Sequence, residues 1–361
     1  MSQAFRALLQ KVGSGRHTSS ELTRSEAAEA AHMMLVQEAT PAQIGAFMIA
    51  HRIKRPTAEE LAGFLDTYKK IGPKLKAIPA NYPTMVFGLP YDGRARTAPV
   101  QPLVSLMLSA MGCPVLLHGG RRMPTKYGIP LIEIWQGLGI DWTGLSLEAV
   151  QQVFQRTCQG FLYLPEHFPQ AHNLVPYREQ IGKRPPLATL ELMWCPYEGD
   201  CQVVVGYVHP PTEDLAKKIL SLTNIQNFTT VKGLEGSSDL PRARAAIIGI
   251  HRFSDEQRLL LHARDYHLGN QTETPLKSPP DYLTDLKATL QGNQTNLRPA
   301  ALWNGGFYLW QSGISNSLGE GLKQAEALLG SDRLEQHLLH LAQEVSFQHK
   351  VNTKSAHPGK G

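Results

Sequence analysis

The sequence predicts an α/β protein, with an N-terminal helical domain over residues 1–75 and a larger α/β domain over 76–350 built on a mostly parallel sheet flanked by helices. Three observations carry this. Capping signals recur through the first 75 residues, Pro and Gly interrupt the helical pattern at 72–83, and from residue 85 short β-rich runs alternate with helical ones.

In the first block Thr23 and Glu26 are spaced as a capping box, as are Thr57 and Glu60. Thr40 and Pro41 suit the N-cap and first turn of a helix between them. Beyond Gly72-Pro73 the β-rich runs are 85–88, 114–119, 161–164, 202–207, 228–233 and 245–250. Helical runs fall at about 100–111, 131–138 and 213–222. Parallel strands joined by helical crossovers give this alternation. The C-terminal third returns to helix near 281–291, 299–313, 317–329 and 332–346, after a polar connection, 265–297, with one short helix in it. The tail, 351–361, reads as disordered.

Composition narrows the function classes. Hydrophobic residues make up 42% of 361, charged residues 19%, and no stretch approaches a membrane span. The N-terminus has no apolar signal core, so a cytoplasmic location is expected, with no membrane partner. The four cysteines form no CxxC pair, which argues against structural zinc. A formal charge of +5 suits acidic partners without choosing among them.

Two turns between strand and helix are candidate phosphate sites. The first runs Gly88-Leu89-Pro90-Tyr91-Asp92-Gly93-Arg94-Ala95-Arg96-Thr97, the second His118-Gly119-Gly120-Arg121-Arg122-Met123-Pro124-Thr125-Lys126-Tyr127-Gly128. A turn of this kind aims backbone N–H groups and the positive end of a helix at an anion. Glycines let a ligand approach, and Arg and Lys supply charge. Neither turn matches a Walker A or dinucleotide fingerprint.

The two turns and their spacing, the segment Pro176-Tyr177-Arg178-Glu179-Gln180-Ile181-Gly182-Lys183-Arg184, and the run from Trp303 to Ala325 resemble the anthranilate phosphoribosyltransferase family of the glycosyltransferase family 3 fold. The resemblance spans nearly the whole chain. It implies a homodimer formed through the helical domain and a cleft that, in active relatives, holds phosphoribosyl pyrophosphate, Mg²⁺ and an aromatic amine. It also marks candidate ligand contacts at Gly88, Asp92, Gly93, Arg94, Arg96, His118, Gly119, Arg121, Arg122, Lys126, Arg178 and Arg184. Asp239 is the candidate metal ligand.

Departures from the family pattern are concentrated in the donor site. Leu89, Pro90 and Tyr91 stand where the family has Thr-Gly-Gly, and Pro90 has no N–H to offer. TAPVQP replaces an Asn-Ile-Ser-Thr helix opening, and Ser238-Asp239 replaces an Asp-Glu pair. The chain is similar in these respects to the second type of anthranilate-phosphoribosyltransferase-like proteins, some of which bind nucleic acid. The expected function is therefore binding of nucleic acid or a phosphorylated ligand in a basic cleft. The alternative is an active phosphoribosyl- or pentosyltransferase using phosphoribosyl pyrophosphate and Mg²⁺ with an unknown acceptor. No residue stands out as a catalytic acid or base, and His337 with His340, at i and i+3, lacks the further ligands a metal needs.

Overall fold

The computed structural model describes residues 2–15, 17–253 and 255–355. Helices α1 (Gln3–Gly13), α2 (Arg24–Leu35), α3 (Pro41–Lys54) and α4 (Ala58–Ile71) form the N-terminal bundle. Its caps are the ones the sequence signals. Thr23, Thr40 and Thr57 each accept from the backbone N–H three residues on, and Glu26, Gln43 and Glu60 each reach back to the cap residue's own N–H.

Glu60 also has a tertiary role. It is fully buried, with Oε1 accepting from Leu22 N–H at 2.8 Å and Oε2 from Thr57 N–H at 2.7 Å and Lys54 Nζ at 2.9 Å, beside His51 at 3.4 Å. Burial would raise the carboxyl pKa, but His51, the two N–H groups and Lys54 outweigh it and hold the carboxyl at about 2.

The larger domain contains β1 (Leu75–Lys76), β2 (Thr84–Gly88), β3 (Val115–Gly119), β4 (Gln159–Tyr163), β5 (Tyr197–Glu198), β6 (Cys201–Gly206), β7 (Asn227–Val231), β8 (Ala246–Arg252) and β9 (Asp255–Leu261). Seven of them make one sheet in the order β4-β3-β2-β6-β7-β8-β9, parallel from β4 to β7 and antiparallel across β7-β8-β9. β1 and β5 pair separately, in parallel. The central strands β2 and β3 are buried throughout, as helix-covered parallel strands are. Helix α5 (Gln101–Ala110) follows β2, and α6 (Leu131–Gly137) and α7 (Leu147–Thr157) lie between β3 and β4.

Three features differ from the sequence expectation. β9 carries the exposed sequence DEQRLLL, which lacks the apolar alternation that marks a strand; pairing along all of β8 forms it. The segment after β4 leaves the sheet, and its short helices Val175–Gln180 and Leu187–Leu190, where no regular element was expected, pack on α3 and α4. The last helix, Arg333–Ser355, runs past the expected start of a disordered tail at 351, because Lys, Gln and His sustain a helix where no Pro or Gly intervenes. The remainder of that tail, 356–361, lies outside the described residues.

The depressed Glu60 carboxyl sets an acid limit on stability. Its folded pKa, about 2, lies below its ordinary 4.5, so its contribution is complete above pH 4.5 and is lost as pH falls towards 2. Glu60→Gln should lower the melting temperature at pH 7 and flatten the dependence of stability on pH between these values. Chemical denaturation of both proteins across that range checks this; parallel acid profiles would refute the role given to Glu60.

Candidate functional site

The two glycine-bearing turns lie at the C-terminal ends of neighbouring strands β2 and β3, where parallel sheets place their ligands. They are also zipped to each other. Gly128 N–H donates to the Asp92 carbonyl at 2.9 Å, Ile129 N–H to the Arg94 carbonyl at 2.8 Å and Arg94 N–H to the Ile129 carbonyl at 3.4 Å. This contact accounts for Gly93, which has φ 72° and where a Cβ would lie 2.5 Å from the Ile129 carbonyl oxygen. At Gly88 a Cβ would lie 1.8 Å from the Leu192 carbonyl oxygen. Both glycines, expected to admit a phosphate, here admit neighbouring backbone. Gly119 is less constrained, since a Cβ there would make ordinary contact with the Phe161 ring at 3.7 Å and the Tyr91 ring at 4.0 Å.

Asp92 is the centre of the cluster. It is 1% exposed, and its carboxylate faces Arg184 at 2.6 Å, Lys126 at 3.3 Å and Arg178 at 3.4 Å. The Arg178 contact is one of charge without hydrogen-bond geometry, leaving Arg178 Nε and Nη2 and Asp92 Oδ2 unpartnered. Arg178 Nη1 instead donates to Glu191 at 2.6 Å, and Glu191 also accepts from Tyr91 N–H. Burial raises the Glu191 carboxyl despite Arg178 and Arg184 beside it, and burial lowers Lys126 despite Asp92.

Three expected ligand contacts are committed internally. His118 is fully buried; its Nε2 lies 3.1 Å from the Trp194 carbonyl and its Nδ1 2.6 Å from the Tyr91 hydroxyl. A carbonyl only accepts, so Nε2 carries the hydrogen and Nδ1 accepts from Tyr91. Burial lowers the imidazole pKa to about 4, so the ring is neutral at pH 7. Arg94 is also buried, its Nη1 donating to Asp239 and to Ser237 Oγ, each at 2.8 Å. Arg178 points inward as described.

The same pairing bears on the metal. Asp239 Oδ2 accepts from Arg94 and from Val100 N–H at 3.0 Å, while Oδ1 is buried without a partner, and the neighbouring Ser238 hydroxyl donates to Gln101. A lone carboxylate already neutralised by an arginine does not fit Mg²⁺, which takes carboxylates together with phosphates and waters. No group of three His, Cys, Asp or Glu side chains suited to a metal occurs among the described residues.

Glu235, which the sequence reading did not single out, fills the end of the first turn. Its carboxylate accepts from the backbone N–H groups of Ala95 at 3.2 Å, Arg96 at 3.1 Å and Thr97 at 2.9 Å, and from the Thr97 hydroxyl at 2.7 Å. Burial works against its charge, but the Thr97 hydroxyl and these N–H groups hold it at about 2. The turn has the anion-binding character expected of it, and the anion is the chain's own. An acidic residue between Leu234 and Gly236 was the available signal.

The remaining cations line the mouth. Arg96 is 83% exposed and 3.9 Å from Glu235. Arg121 is exposed and donates to the Tyr163 hydroxyl, whereas Arg122 pairs with Glu133. Lys126 reaches the Glu235 carbonyl at 3.4 Å, and Arg52 of α3 donates to the Arg184 carbonyl at 2.5 Å. Arg52, Arg184, Lys126 and Arg96 thus form a connected strip from the bundle to the sheet domain, with Asp92 and Glu235 beneath it. Between the two turns, Leu89, Pro90, Tyr91, Pro99, Ile129 and Leu131 narrow a cavity of about 40 Å³.

Sequence profiles settle the family. Residues 6–71 match the glycosyl transferase family helical bundle domain, and residues 94–332 match the glycosyl transferase family a/b domain. The chain belongs to glycosyl transferase family 3. Within it, an anthranilate phosphoribosyltransferase of Paracidovorax citrulli is 23% identical over 88% of this chain and 92% of its own. An uncharacterized protein of Aquifex aeolicus is 26% identical over 85% and 93%. The anthranilate phosphoribosyltransferase of Saccharomyces cerevisiae, solved with phosphoribosyl pyrophosphate and Mg, superposes with TM-score 0.82 at 16% identity, covering 96% of this chain and 99% of that one. That of Thermus thermophilus gives 0.76 at 18%, covering 96% and 100%. No helix among the described residues is long and apolar enough to cross a membrane.

The two-sided bonding of His118 is open to direct measurement. Because its folded pKa, about 4, lies below the ordinary 6.5, the unfolded chain takes up the proton first, and stability declines as pH falls from 6.5 towards 4. Nitrogen-15 NMR of the imidazole should show the neutral Nε2–H form down to pH 5. Titration near 6.5 would mean that the ring is open to solvent.

Proposed function

We propose that this family member binds phosphate groups of single-stranded nucleic acid at the basic strip across its cleft mouth, and does not transfer phosphoribose. The supporting observation is the division of its cations. Those within the cleft are matched by the chain's own carboxylates, Arg94 by Asp239 and Arg178 by Glu191, whereas the strip sets Arg52, Arg184, Lys126 and Arg96 over only Asp92 and Glu235. An extended phosphate backbone fits such a strip, and backbone contacts carry affinity without base selection.

The donor side supports the same reading. Leaving pyrophosphate in a transferase is stabilised by preorganised donors and metal. Here the corresponding turn presents Leu89 and Pro90, its following N–H groups are taken by Glu235, and Asp239 is held by Arg94. Arg178 favours the second reading, a transferase with an altered acceptor. Arg178, whose Nε has no hydrogen-bond partner, lines a pocket together with Met48, Tyr68, Met123 and Leu174, where a carboxylate-bearing aromatic could rest. An acceptor pocket alone transfers nothing, so the binding reading is preferred.

Oligonucleotide binding should weaken linearly with log salt, with a slope of about −0.7 per phosphate contacted. Arg96→Ala combined with Arg52→Ala, both exposed and neither tied tightly to a carboxylate, should weaken binding to unrelated single strands by similar factors. It should also flatten the slope by roughly one to two such contacts. Fluorescence anisotropy at several salt concentrations, with melting curves to confirm folding, makes the test. Unchanged affinity and slope in a folded double variant would remove the strip as the binding surface.

A further inference from the structure

At the opposite end of the sheet, away from the cleft mouth, Cys195 and Cys201 lie with their sulfurs 3.5 Å apart. Cys201 opens β6, whose first residue pairs with Thr84 of β2, and Cys195 follows Trp194 at the end of the segment that packs on the bundle. Both residues are half-buried and line an open pocket of about 410 Å³, together with Lys69 and Asp66 of α4. We propose that Cys195 and Cys201 are a reversible dithiol–disulfide pair, oxidised by peroxide or by a small-molecule disulfide entering through this pocket.

The geometry suits the chemistry. A disulfide needs the sulfurs to close to about 2.0 Å, a movement of side chains already in contact and separated by the short segment that carries β5. A hydrogen bond joins the two thiols, lowering Cys201 and, together with burial, raising Cys195. Cys201 is assigned the attacking role. It attacks one peroxide oxygen to give a sulfenic acid, and the departing hydroxide takes a proton to become water. Cys195 sulfur then attacks the sulfenic sulfur, the S–O bond breaks, and its hydroxide leaves with the Cys195 proton as a second water. Two thiols and one peroxide give one disulfide and two waters.

The other cysteines differ. Cys113 is buried, close to the carbonyls of Pro83 and Pro114, with its thiol pushed up to about 12, and Cys158 is raised by burial. The oxidisable pair also has a route to the cleft. Trp194, adjoining Cys195, accepts from His118 Nε2 through its carbonyl and packs its ring 5.0 Å from the imidazole. Tethering Cys195 to β6 thus fixes the residue that holds His118 and, through it, Tyr91.

The test uses the full chain in buffers of graded oxidised-to-reduced glutathione, then alkylation and non-reducing peptide mapping. The expected product is a Cys195–Cys201 linked peptide that dithiothreitol releases, with Cys113 still a thiol once the chain is denatured. In Cys195→Ser, peroxide should leave Cys201 as a sulfenic acid trapped by dimedone. Full alkylation of both cysteines under oxidising buffer, separate glutathione adducts, or a link between two chains would each overturn the proposal.

Discussion

The architecture of the cleft depends on one buried carboxylate. Asp92 sits where three cations converge, Lys126 from the second turn and Arg178 and Arg184 from the segment on the bundle, and its own carbonyl receives Gly128 N–H. Without that charge three cations would repel one another in a site of low dielectric, and breaking such a pairing typically costs about 3–5 kcal/mol. Asp92 therefore joins both turns and the bundle-side helices into one unit.

A second layer of internal pairing gives the cleft its character. Glu235 and Asp239, four residues apart on the stretch after β7, reach the first turn from one side and take its backbone N–H groups and Arg94. The backbone N–H groups of the first turn and the Arg94 guanidinium are satisfied within the chain, and apolar residues lie beside them. What faces solvent is the edge of the cluster, where positive charge exceeds negative. On the proposed reading, such a cleft, with its interior filled and its rim basic, takes a long anion lying across it.

The sequence revealed more of the fold than of the site, for physical reasons. Capping boxes at Thr23 and Thr57, and the apolar runs that became β2, β3, β6 and β7, are local patterns, and local patterns survive into the structure. β9 was invisible because its polar residues are followed by a block of leucines with no alternation, and its existence depends on β8. In the site, the sequence located both turns and the charged residues of the cluster. It could not tell which cations would be neutralised, because the partners come from distant positions. Arg94 and His118 look alike as loop polar residues, yet one is matched by Asp239 and the other by Trp194 and Tyr91. Glu191, flanked by Leu190 and Leu192, carries no signal of its role beside Arg178.

The proposed function requires that the chain itself close the donor side of the cleft. Titration calorimetry of the protein with phosphoribosyl pyrophosphate in the presence of Mg²⁺ tests it most directly. The account predicts no Mg²⁺-dependent binding: any heat should be weak, unchanged when Mg²⁺ is omitted, and suppressed by salt. Saturable binding that requires Mg²⁺ and persists at high salt would show that Glu235 and Asp239 yield to the donor, and would contradict it.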